Sequence, residues 1–422
     1  MTEITAVEFD KEVLQAGKVV LDFYSSECPP CEALAPKFES LADLYGHDIH
    51  FLKIFRQKNK ALADELGVKS SPTLLFFDNG KEVSERLAGG IKRSDIIRNL
   101  NTMIPDALVT SINKKIKPTV SDYDVLVLGA GPGGLTAGLY LCQAKINTVL
   151  IDIALPGGHV STTHEVSNYP GFIEPQAGYM LSHNMSEQTK LCGTAYKVAV
   201  NVTKIDLNKK EVVLDEYETV RAKKIIIATG TSPNLIGIPG EKELKGKGIS
   251  YCATCDAKYY GDKEVVVIGG GNSAVEEAGF IAKFASKVTM VHQFDAFTAN
   301  KTAQEKLFAN PKISAMLEHE PRSFKRDGDK IITEVEDLKT KEIKTLVSDG
   351  VFIFIGMKPN IQLFKDKLTL DQYGYIKTDE DMRTSLPDIF AVGDVISKKY
   401  RQITTAVADG TIAAIAIAKE IN

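Results

Sequence analysis

Two pairs of cysteines carry the clearest potential chemistry in this sequence of 422 residues. Cys28 and Cys31 form one Cys-x-x-Cys pair, and Cys252 and Cys255 form the other. Two thiols at this spacing can close a small disulfide ring, and a helix that begins at the pair lowers the pKa of one thiol through its dipole. Each pair therefore indicates either dithiol–disulfide exchange or metal binding, and all four sulfurs together formally match a zinc site.

A glycine-rich turn between a strand and a helix provides a second kind of candidate site. Such a turn lets the backbone approach a pyrophosphate, and the N-terminus of the following helix supplies amides and a positive dipole end. Asp152 ends the next predicted strand, where a carboxylate can accept hydrogen bonds from ribose hydroxyls. The turn follows the apolar strand 125–128 and contains Gly129, Gly131, Pro132, Gly133 and Gly134.

A second turn of the same kind follows the apolar strand 265–268. Its pattern is Gly-x-Gly-x-x-Ala, which is typical of pyridine nucleotide sites. The next predicted strand ends at His292 and Gln293, where the adenosine ribose of a nucleotide is expected. The residues of the turn that we expect to contact the nucleotide are Gly269, Gly271, Asn272 and Ser273.

Composition excludes several classes of partner. The formal net charge is −4 and 44% of the residues are hydrophobic, so the chain has no basic character suited to nucleic acid or an anionic membrane. The N-terminal stretch lacks the basic start and long apolar run of a signal peptide, and no apolar stretch is long enough to span a bilayer. We therefore expect a cytoplasmic protein with no nucleic-acid or membrane partner.

The elements that must position these groups predict an α/β protein. Short apolar strands alternate with helical patterns in the first hundred residues, and each later glycine-rich turn starts a strand–turn–helix unit. Pro105, Pro118 and three lysines indicate a linker between the first region and the rest, although part of it can be helical. The predicted boundaries are 1–102, a linker at 103–121, a discontinuous domain at 122–240 and 356–422, and an inserted domain at 241–355.

Beyond residue 122 the chain resembles bacterial low-molecular-weight thioredoxin reductases. The motifs that carry this resemblance are Gly157-Gly158-His159, Glu165–Gly171, Ala228-Thr229-Gly230, Gly393-Asp394 and Arg401-Gln402-Ile403. It implies an FAD site and two Rossmann-like, three-layer domains, the second inserted in the first. It also implies a homodimer, which this family commonly forms. It also implies that Asp394 binds the ribityl chain or pyrophosphate side and that Arg401 to Ile403 lie by the isoalloxazine. The remaining FAD contacts that it implies are Gly158, His159, Asn168, Thr229 and Gly230.

The same resemblance covers Cys252-Ala253-Thr254-Cys255-Asp256. It implies that Cys255 faces the flavin and that Cys252 attacks the next disulfide. Asp256 is then the group that moves the proton, a role suited to a carboxylate whose burial raises its pKa. In this flavin context zinc is disfavoured, and no metal is expected.

The first hundred residues resemble thioredoxin, which implies a thioredoxin fold. Asp22 matches the buried acid behind the disulfide, Lys53 matches its lysine partner, and Pro72 matches the cis-proline against which substrate docks. Cys28 is then the more exposed attacking thiol, and Cys31 is the buried resolving thiol. Glu27 replaces the usual tryptophan, and its charge disfavours the Cys28 thiolate.

The second nucleotide site departs from its NADPH-using relatives, which hold the 2′-phosphate with arginines. The corresponding positions here are His292, Gln293, Phe294 and Thr298. Each lost charge-assisted hydrogen bond costs roughly 1.5–3 kcal/mol, so NADPH is disfavoured and NADH is expected. A donor that is not a nicotinamide, such as ferredoxin, and a second domain that only carries the cysteine pair are the alternatives.

Together these features predict an FAD-dependent disulfide oxidoreductase that passes electrons through Cys252/Cys255 to Cys28/Cys31 and then to protein disulfides. Transfer to the fused thioredoxin domain can run within one chain or across a homodimer. The alternatives are a reductase dedicated to a peroxiredoxin and a redox-sensing flavoprotein without turnover. The other two cysteines, Cys142 and Cys192, show no partner in sequence, and each is expected to be an unreactive thiol.

Overall fold

The computed structural model describes residues 1–163 and 165–421, which divide into two compact units. The first consists of Met1–Ser161, Met180–Gly230 and the described residues from Ile361 onward. The second consists of Thr162–Tyr179, apart from His164, and Thr231–Asn360. Within the described residues, no helix is both long and apolar enough to cross a bilayer.

The N-terminal part of the first unit is a mixed sheet with helices on both faces. Strand order is β1-β3-β2-β4-β5, with β6 also paired to β4. Central strand β2 is buried on both faces because alternate side chains join different clusters: Val20 packs with α1 and α3, and Leu21 packs with α2. These elements are β1 (Thr2–Ile4), β2 (Lys18–Tyr24), α1 (Pro29–Tyr45), β3 (His50–Phe55), α2 (Lys60–Glu65), β4 (Thr73–Asp78), β5 (Lys81–Glu82), β6 (Leu87–Ala88) and α3 (Arg93–Thr102).

The predicted linker is ordered over most of its length. Residues Asp106–Asn113 form helix α4, whose Ile112 is buried in the same cluster as α1 and α3. Strand β7 (Thr119–Leu128) begins soon afterwards, so only 114–118 connects two regular elements. The prolines and lysines of this segment indicated a linker, but Leu108, Val109 and Ile112 give α4 an apolar face that the thioredoxin-type core covers.

The middle of the first unit is a largely parallel sheet. Its order is β10-β11-β12-β7-β8-β9, in which β7 runs parallel to both β12 and β8. The last four residues of β7 are buried and lead directly into the first glycine-rich turn. The further elements are α5 (Pro132–Gln143), β8 (Thr148–Asp152), α6 (Gly178–Cys192), β9 (Ala195–Val198), β10 (Val202–Asp206), β11 (Glu211–Leu214) and β12 (Glu218–Ile227).

The second unit contains a parallel sheet with the order β14-β21-β15-β16-β17 and a separate antiparallel sheet β18-β19-β20. The entering strand β13 pairs with the leaving strand β22, so the insertion extends beyond the predicted 241–355 at both ends. The elements are β13 (Thr231–Pro233), α7 (Glu241–Leu244), β14 (Ile249–Ser250), α8 (Ala253–Asp256), β15 (Glu264–Ile268), α9 (Asn272–Ile281), β16 (Lys287–His292), α10 (Lys301–Phe308), β17 (Ile313–Leu317), β18 (His319–Asp327), β19 (Lys330–Asp337), β20 (Ile343–Ser348), β21 (Gly350–Ile353) and β22 (Met357–Pro359).

After the insertion the chain returns to the largely parallel sheet of the first unit. Strand β23 (Ile389–Ala391) pairs in parallel with β12, and helix α11 (Ile403–Ile421) packs on α5. The two helices can approach closely because Gly410 has no side chain. A Cβ there would lie only 2.3 Å from the carbonyl oxygen of Gly133. This return confirms the predicted α/β class, in which one dinucleotide-binding domain is inserted in another.

Candidate active site

The Cys28–Cys31 pair is closed as a disulfide at the start of α1, with its Cα atoms 5.2 Å apart. Cys28 is the N-cap of the helix, and the amide of Cys31 donates to its Sγ over 3.2 Å. Pro72 follows a cis peptide bond, and the carbonyl oxygen of Ser71 lies 3.5 Å from Cys28 Sγ. Cys28 is 7% exposed and Cys31 is 9% exposed, so the expected greater exposure of Cys28 is absent, because the Ser71 loop covers it.

The predicted acid Asp22 is buried in the central strand of the same domain. Asp22 on β2 is in register with Lys53 on β3, and its Oδ1 makes no hydrogen bond. Burial raises the pKa of Asp22 to about 7, while the charge of Lys53 acts in the opposite direction. A carboxyl group with this pKa can exchange a proton near neutral pH, as a proton acceptor for a thiol must.

The Cys252–Cys255 pair repeats the same local design in the second unit. It is closed as a disulfide with a Cα–Cα distance of 5.4 Å, and the amide of Cys255 donates to Cys252 Sγ over 3.2 Å. The preceding backbone is held by Tyr251, whose hydroxyl donates to Glu241 over 2.6 Å. Cys255 is exposed, and Asp256 closes the one-turn helix α8 beside it.

The first glycine-rich turn is built so tightly that side chains cannot be added. A Cβ on Gly129 would lie 2.2 Å from the Ala228 carbonyl oxygen, and one on Gly134 would lie 1.9 Å from the Gly129 carbonyl oxygen. Gly131 is the N-cap of α5, which starts at Pro132, so the helix N-terminus opens at the turn. Thr229 and Gly230 follow Ala228 directly, which brings that predicted segment to the same turn.

Two further predicted segments meet the turn within the first unit. A Cβ on Gly158 would lie 3.0 Å from Cα of Gly131, and one on Gly133 would lie 3.5 Å from Cα of Gly393. Next to Gly393, burial raises the pKa of Asp394, against the charges of Lys398, Arg401 and His159. Asp394 Oδ1 is buried without a hydrogen bond, 3.7 Å from Lys398 Nζ. An acceptor so placed suits a hydroxyl-bearing ligand at this turn.

Asp152 has a structural task as well as its predicted one. Its carboxylate accepts from the amides of Ala130 (2.6 Å) and Ala154 (2.8 Å), which fixes the glycine-rich turn against β8. Burial raises the pKa of this carboxyl, and these amides act in the opposite direction. The predicted bond to a ribose would use the lone pairs that remain.

The other predicted flavin contacts are divided between the two units: Arg401 to Ile403 belong to the first and Asn168 to the second. Arg401 stacks 3.7 Å from the centroid of the Tyr375 ring and donates to the Asp394 carbonyl oxygen over 3.3 Å. Gln402 follows it, and Ile403 is the first residue of α11, so this segment joins Asp394 in the first unit. Asn168 belongs to the segment Thr162–Tyr179 of the second unit.

The second glycine-rich turn has His292 directly over it. A Cβ on Gly270 would lie 2.6 Å from the imidazole ring, while one on Gly271, the N-cap of α9, would meet only Thr298 Oγ1 at 3.8 Å. Burial lowers the pKa of His292, so the ring is neutral at neutral pH, and its Nε2 makes no hydrogen bond. Asn272 fixes the neighbouring loop by accepting from the Asn300 amide over 2.7 Å. Gln293 is exposed, and Ser273 follows Asn272 on α9.

Sequence reasoning missed a contact between the N-terminal domain and the first dinucleotide-binding domain. Lys37, on α1, donates from Nζ to the carbonyl oxygens of Val198 (2.9 Å), Ala199 (2.8 Å) and Ile91 (3.1 Å). Burial lowers the pKa of Lys37 to about 8, while Asp215 acts in the opposite direction. No sequence pattern reports this lysine, because its acceptors are backbone groups far away along the chain.

Two side chains from α3 complete this docking contact. Arg93 is 3% exposed and lies with its guanidinium 4.9 Å from the centroid of the Tyr217 ring. Ser94 accepts a hydrogen bond from Asn201 over 2.8 Å. Lys92 is the N-cap residue of this helix, and the Ser94 hydroxyl serves the docking contact.

Comparison with known proteins decides the family. Residues 123–410 match the model of the pyridine nucleotide-disulphide oxidoreductases, and residues 1–102 match the thioredoxin model. The chain belongs to the pyridine nucleotide-disulphide oxidoreductase family. It is 44% identical over 307 residues to a thioredoxin reductase from Peptoclostridium acidaminophilum, covering 71% of this chain and 97% of that protein.

Other members of this pyridine nucleotide-disulphide oxidoreductase family agree. A thioredoxin reductase from Bacillus subtilis is 42% identical over 294 residues, which are 69% of this chain and 92% of that protein. The structure of the thioredoxin reductase from Lactococcus lactis matches with a TM-score of 0.67 at 38% identity. The match covers 70% of this chain and 98% of the Lactococcus chain. The prediction of an FAD-dependent disulfide oxidoreductase of the thioredoxin-reductase type, with a thioredoxin domain in front, is therefore confirmed.

Proposed function

We propose that the chain is a thioredoxin-disulfide reductase that serves its own thioredoxin domain and draws electrons from NADH. Reducing equivalents pass from Cys252/Cys255 to Cys28/Cys31 and then to a disulfide of another protein. One observation carries the proposal: the same chain contains two helix-capping Cys-x-x-Cys disulfides, one in the reductase part and one in the thioredoxin part. Each is built so that its first sulfur accepts from an amide at a helix N-terminus, which favours a thiolate there after reduction.

The residues of the first glycine-rich turn fit FAD. A turn of glycines at the N-terminus of α5 suits the close approach of a pyrophosphate, and Oδ1 of Asp394, which has no hydrogen bond, is an acceptor for a hydroxyl. Bound there, FAD would supply the hydride and two-electron chemistry that connects a nicotinamide with a disulfide. The residues that we propose to hold it are Gly129, Gly131, Pro132, Gly133, Gly134, Asp152, Gly158, His159, Asn168, Thr229, Gly230, Gly393, Asp394, Arg401, Gln402 and Ile403.

The thiols of the chain then carry out the exchange. Cys252 attacks the Cys28–Cys31 disulfide to give a mixed disulfide, and Cys255 attacks Cys252 to release the thioredoxin dithiol. Asp256 is the proposed proton carrier for this pair. In the second exchange Cys28 attacks a target disulfide and Cys31 resolves the product, with Asp22 accepting the proton of Cys31.

Two features of the second nucleotide site support NADH. The loop from His292 to Thr298 contains no arginine or lysine, and Asp295 adds a negative charge. The neutral His292 ring offers no compensating cation to a 2′-phosphate. The residues proposed to hold the nucleotide are Gly269, Gly271, Asn272, Ser273, His292 and Gln293.

Anaerobic titration of the flavin absorbance separately with NADH, NADPH and reduced ferredoxin tests the donor. We expect NADH to bleach the flavin at micromolar concentration and NADPH to require about a hundredfold more, because the charge-assisted bonds to the 2′-phosphate are absent. Bleaching by NADPH at micromolar concentration, or by ferredoxin alone, contradicts the NADH proposal.

The exposed Gln293 allows a gain-of-function test of the same site. In Gln293→Arg we expect the NADPH/NADH ratio of kcat/KM to rise by ten- to a hundredfold, since an arginine adds a bond worth roughly 1.5–3 kcal/mol. Gln143→Arg adds the same charge at the exposed end of α5 and serves as the matched control. An unchanged ratio in Gln293→Arg means that this position does not face the ribose.

The target of the relay is tested by supplying two acceptors. We expect the enzyme with NADH to reduce insulin disulfides through Cys28/Cys31, as a general thioredoxin does. Reduction of a peroxiredoxin together with no activity toward insulin would instead identify a dedicated peroxiredoxin reductase.

A further inference from the structure

The two cysteines outside the relay lie against each other in the first unit. Cys142 is in the last turn of α5, and Cys192 is the last residue of α6. Sγ of Cys142 lies 2.7 Å from the Cys192 carbonyl oxygen, and Sγ of Cys192 lies 3.9 Å from the Leu139 carbonyl oxygen. The fold therefore brings together two helix ends that are 50 residues apart in sequence, a contact that the sequence alone did not reveal.

Both thiols are free although the other four cysteines are paired. Each is half-buried, so small oxidants can reach the pair. A hydrogen bond with the Cys142 thiol, together with burial, raises the pKa of the Cys192 thiol to about 11. At neutral pH the Cys192 thiol is therefore protonated, so its reactivity toward an oxidant should increase as the pH rises.

The pair also lies beside the thioredoxin domain. Lys190, in the same last turn of α6 as Cys192, forms an ion pair with Glu32 of α1. Glu32 directly follows Cys31 of the thioredoxin disulfide. A covalent change at the end of α6 therefore acts on a segment that contacts the N-terminus of α1.

We propose that Cys142 and Cys192 form a third redox pair, a peroxide-sensitive modification site that closes to a disulfide. One thiolate attacks a peroxide oxygen, the O–O bond breaks, and the products are a sulfenic acid and water or an alcohol. The second thiol attacks the sulfenic sulfur, so that the S–S bond forms and a second water leaves. A dithiol reverses the reaction by two exchange steps and is itself oxidised to a disulfide.

The test uses the full-length flavin-loaded protein without an electron donor. Of its six cysteines, four are in disulfides, so two thiols remain to be counted under denaturing conditions. Hydrogen peroxide is added, the reaction is stopped with an alkylating agent, and the thiols and peptide masses are measured. We expect both thiols to disappear together, a Cys142–Cys192 cross-linked peptide two hydrogens lighter, and full recovery with dithiothreitol.

Two variants and a pH series complete the test. In Cys142→Ser and in Cys192→Ser the single remaining thiol is expected to be driven to sulfinic acid, which dithiothreitol does not restore, while disulfide reductase turnover is unchanged. In the parent the rate of closure should rise about tenfold or more from pH 7 to pH 9, because only thiolates attack peroxide. Two thiols that persist, or that over-oxidise separately in the parent, overturn the proposal. Since no donor is present, the result does not depend on the proposed relay.

Discussion

The buried carboxyl of Asp22 links the stability of the thioredoxin domain to its chemistry. Its pKa is about 7 in the folded chain, whereas an exposed aspartate titrates near 3.9. Between these values the folded state binds a proton that the unfolded state has lost, so stability decreases as pH rises through this window. Above pH 7 the full cost of the buried charge is present.

Asp22→Asn removes this cost. At pH 8 we expect the thioredoxin domain to be more stable by about 2–4 kcal/mol, and near pH 4 to be unchanged. Hydrogen exchange of the β2 amides in urea, followed in the full chain at both pH values, measures the difference. Asp64→Asn on the exposed face of α2 is the matched control. Equal or lower protection of Asp22→Asn at pH 8 would show that the charge of Asp22 is compensated in the fold.

At the scale of elements, the contact between α5 and its glycine-rich turn forms the flavin site. In Gly134→Ala the new Cβ would lie 1.9 Å from the Gly129 carbonyl oxygen, which forces the helix away from the turn. We expect the ratio of flavin to protein after purification to fall at least about tenfold, because a displaced helix N-terminus no longer meets the pyrophosphate.

Gly279→Ala is the control for this substitution. Gly279 is also inside a helix, α9, but a Cβ there meets no atom within 4 Å. The variant should keep its flavin and gain about 0.5–1 kcal/mol of helix stability. Equal flavin content in the two variants would show that close packing at Gly134 is not needed for binding.

The docking contact between the N-terminal domain and the first dinucleotide-binding domain is the second feature at the scale of elements. Lys37→Met keeps most of the side chain volume but leaves the carbonyl oxygens of Val198 and Ala199 without their donor. We expect this to weaken the contact by about 1–3 kcal/mol and to speed proteolysis within 114–118 by about tenfold or more. Lys60→Met, on the exposed start of α2, should change neither quantity. Unchanged cleavage in Lys37→Met would mean that the ammonium contributes nothing net to docking.

At the scale of the whole molecule, the sequence predicted the features that depend on neighbouring residues and missed the contacts between distant ones. The cysteine pairs and glycine-rich turns were found because a few adjacent residues fix their backbone geometry. Lys37 and Arg93 escaped prediction because their partners, at 198–199 and 217, become neighbours only after folding. The contact of Cys142 with Cys192 has the same origin.

The connection between the thioredoxin domain and the rest is shorter than its sequence suggested. Residues 114–118 separate the end of α4 from the start of β7 and can span roughly 20 Å when fully extended. A larger excursion of the thioredoxin domain requires α4 to detach from the core, which costs the burial of Ile112. In the proposed relay, movement of the thioredoxin domain is therefore limited to this span unless α4 unfolds locally.

The most direct test of the account follows both disulfides after one reduction. The parent and Cys252→Ser are mixed anaerobically with NADH, quenched with an alkylating agent, and analysed for thiols at Cys28 and Cys31 by peptide mass. We predict that the flavin is bleached in both proteins, and that Cys28 and Cys31 become thiols in the parent alone. Opening of Cys28–Cys31 in Cys252→Ser at the rate of the parent would contradict a relay through Cys252.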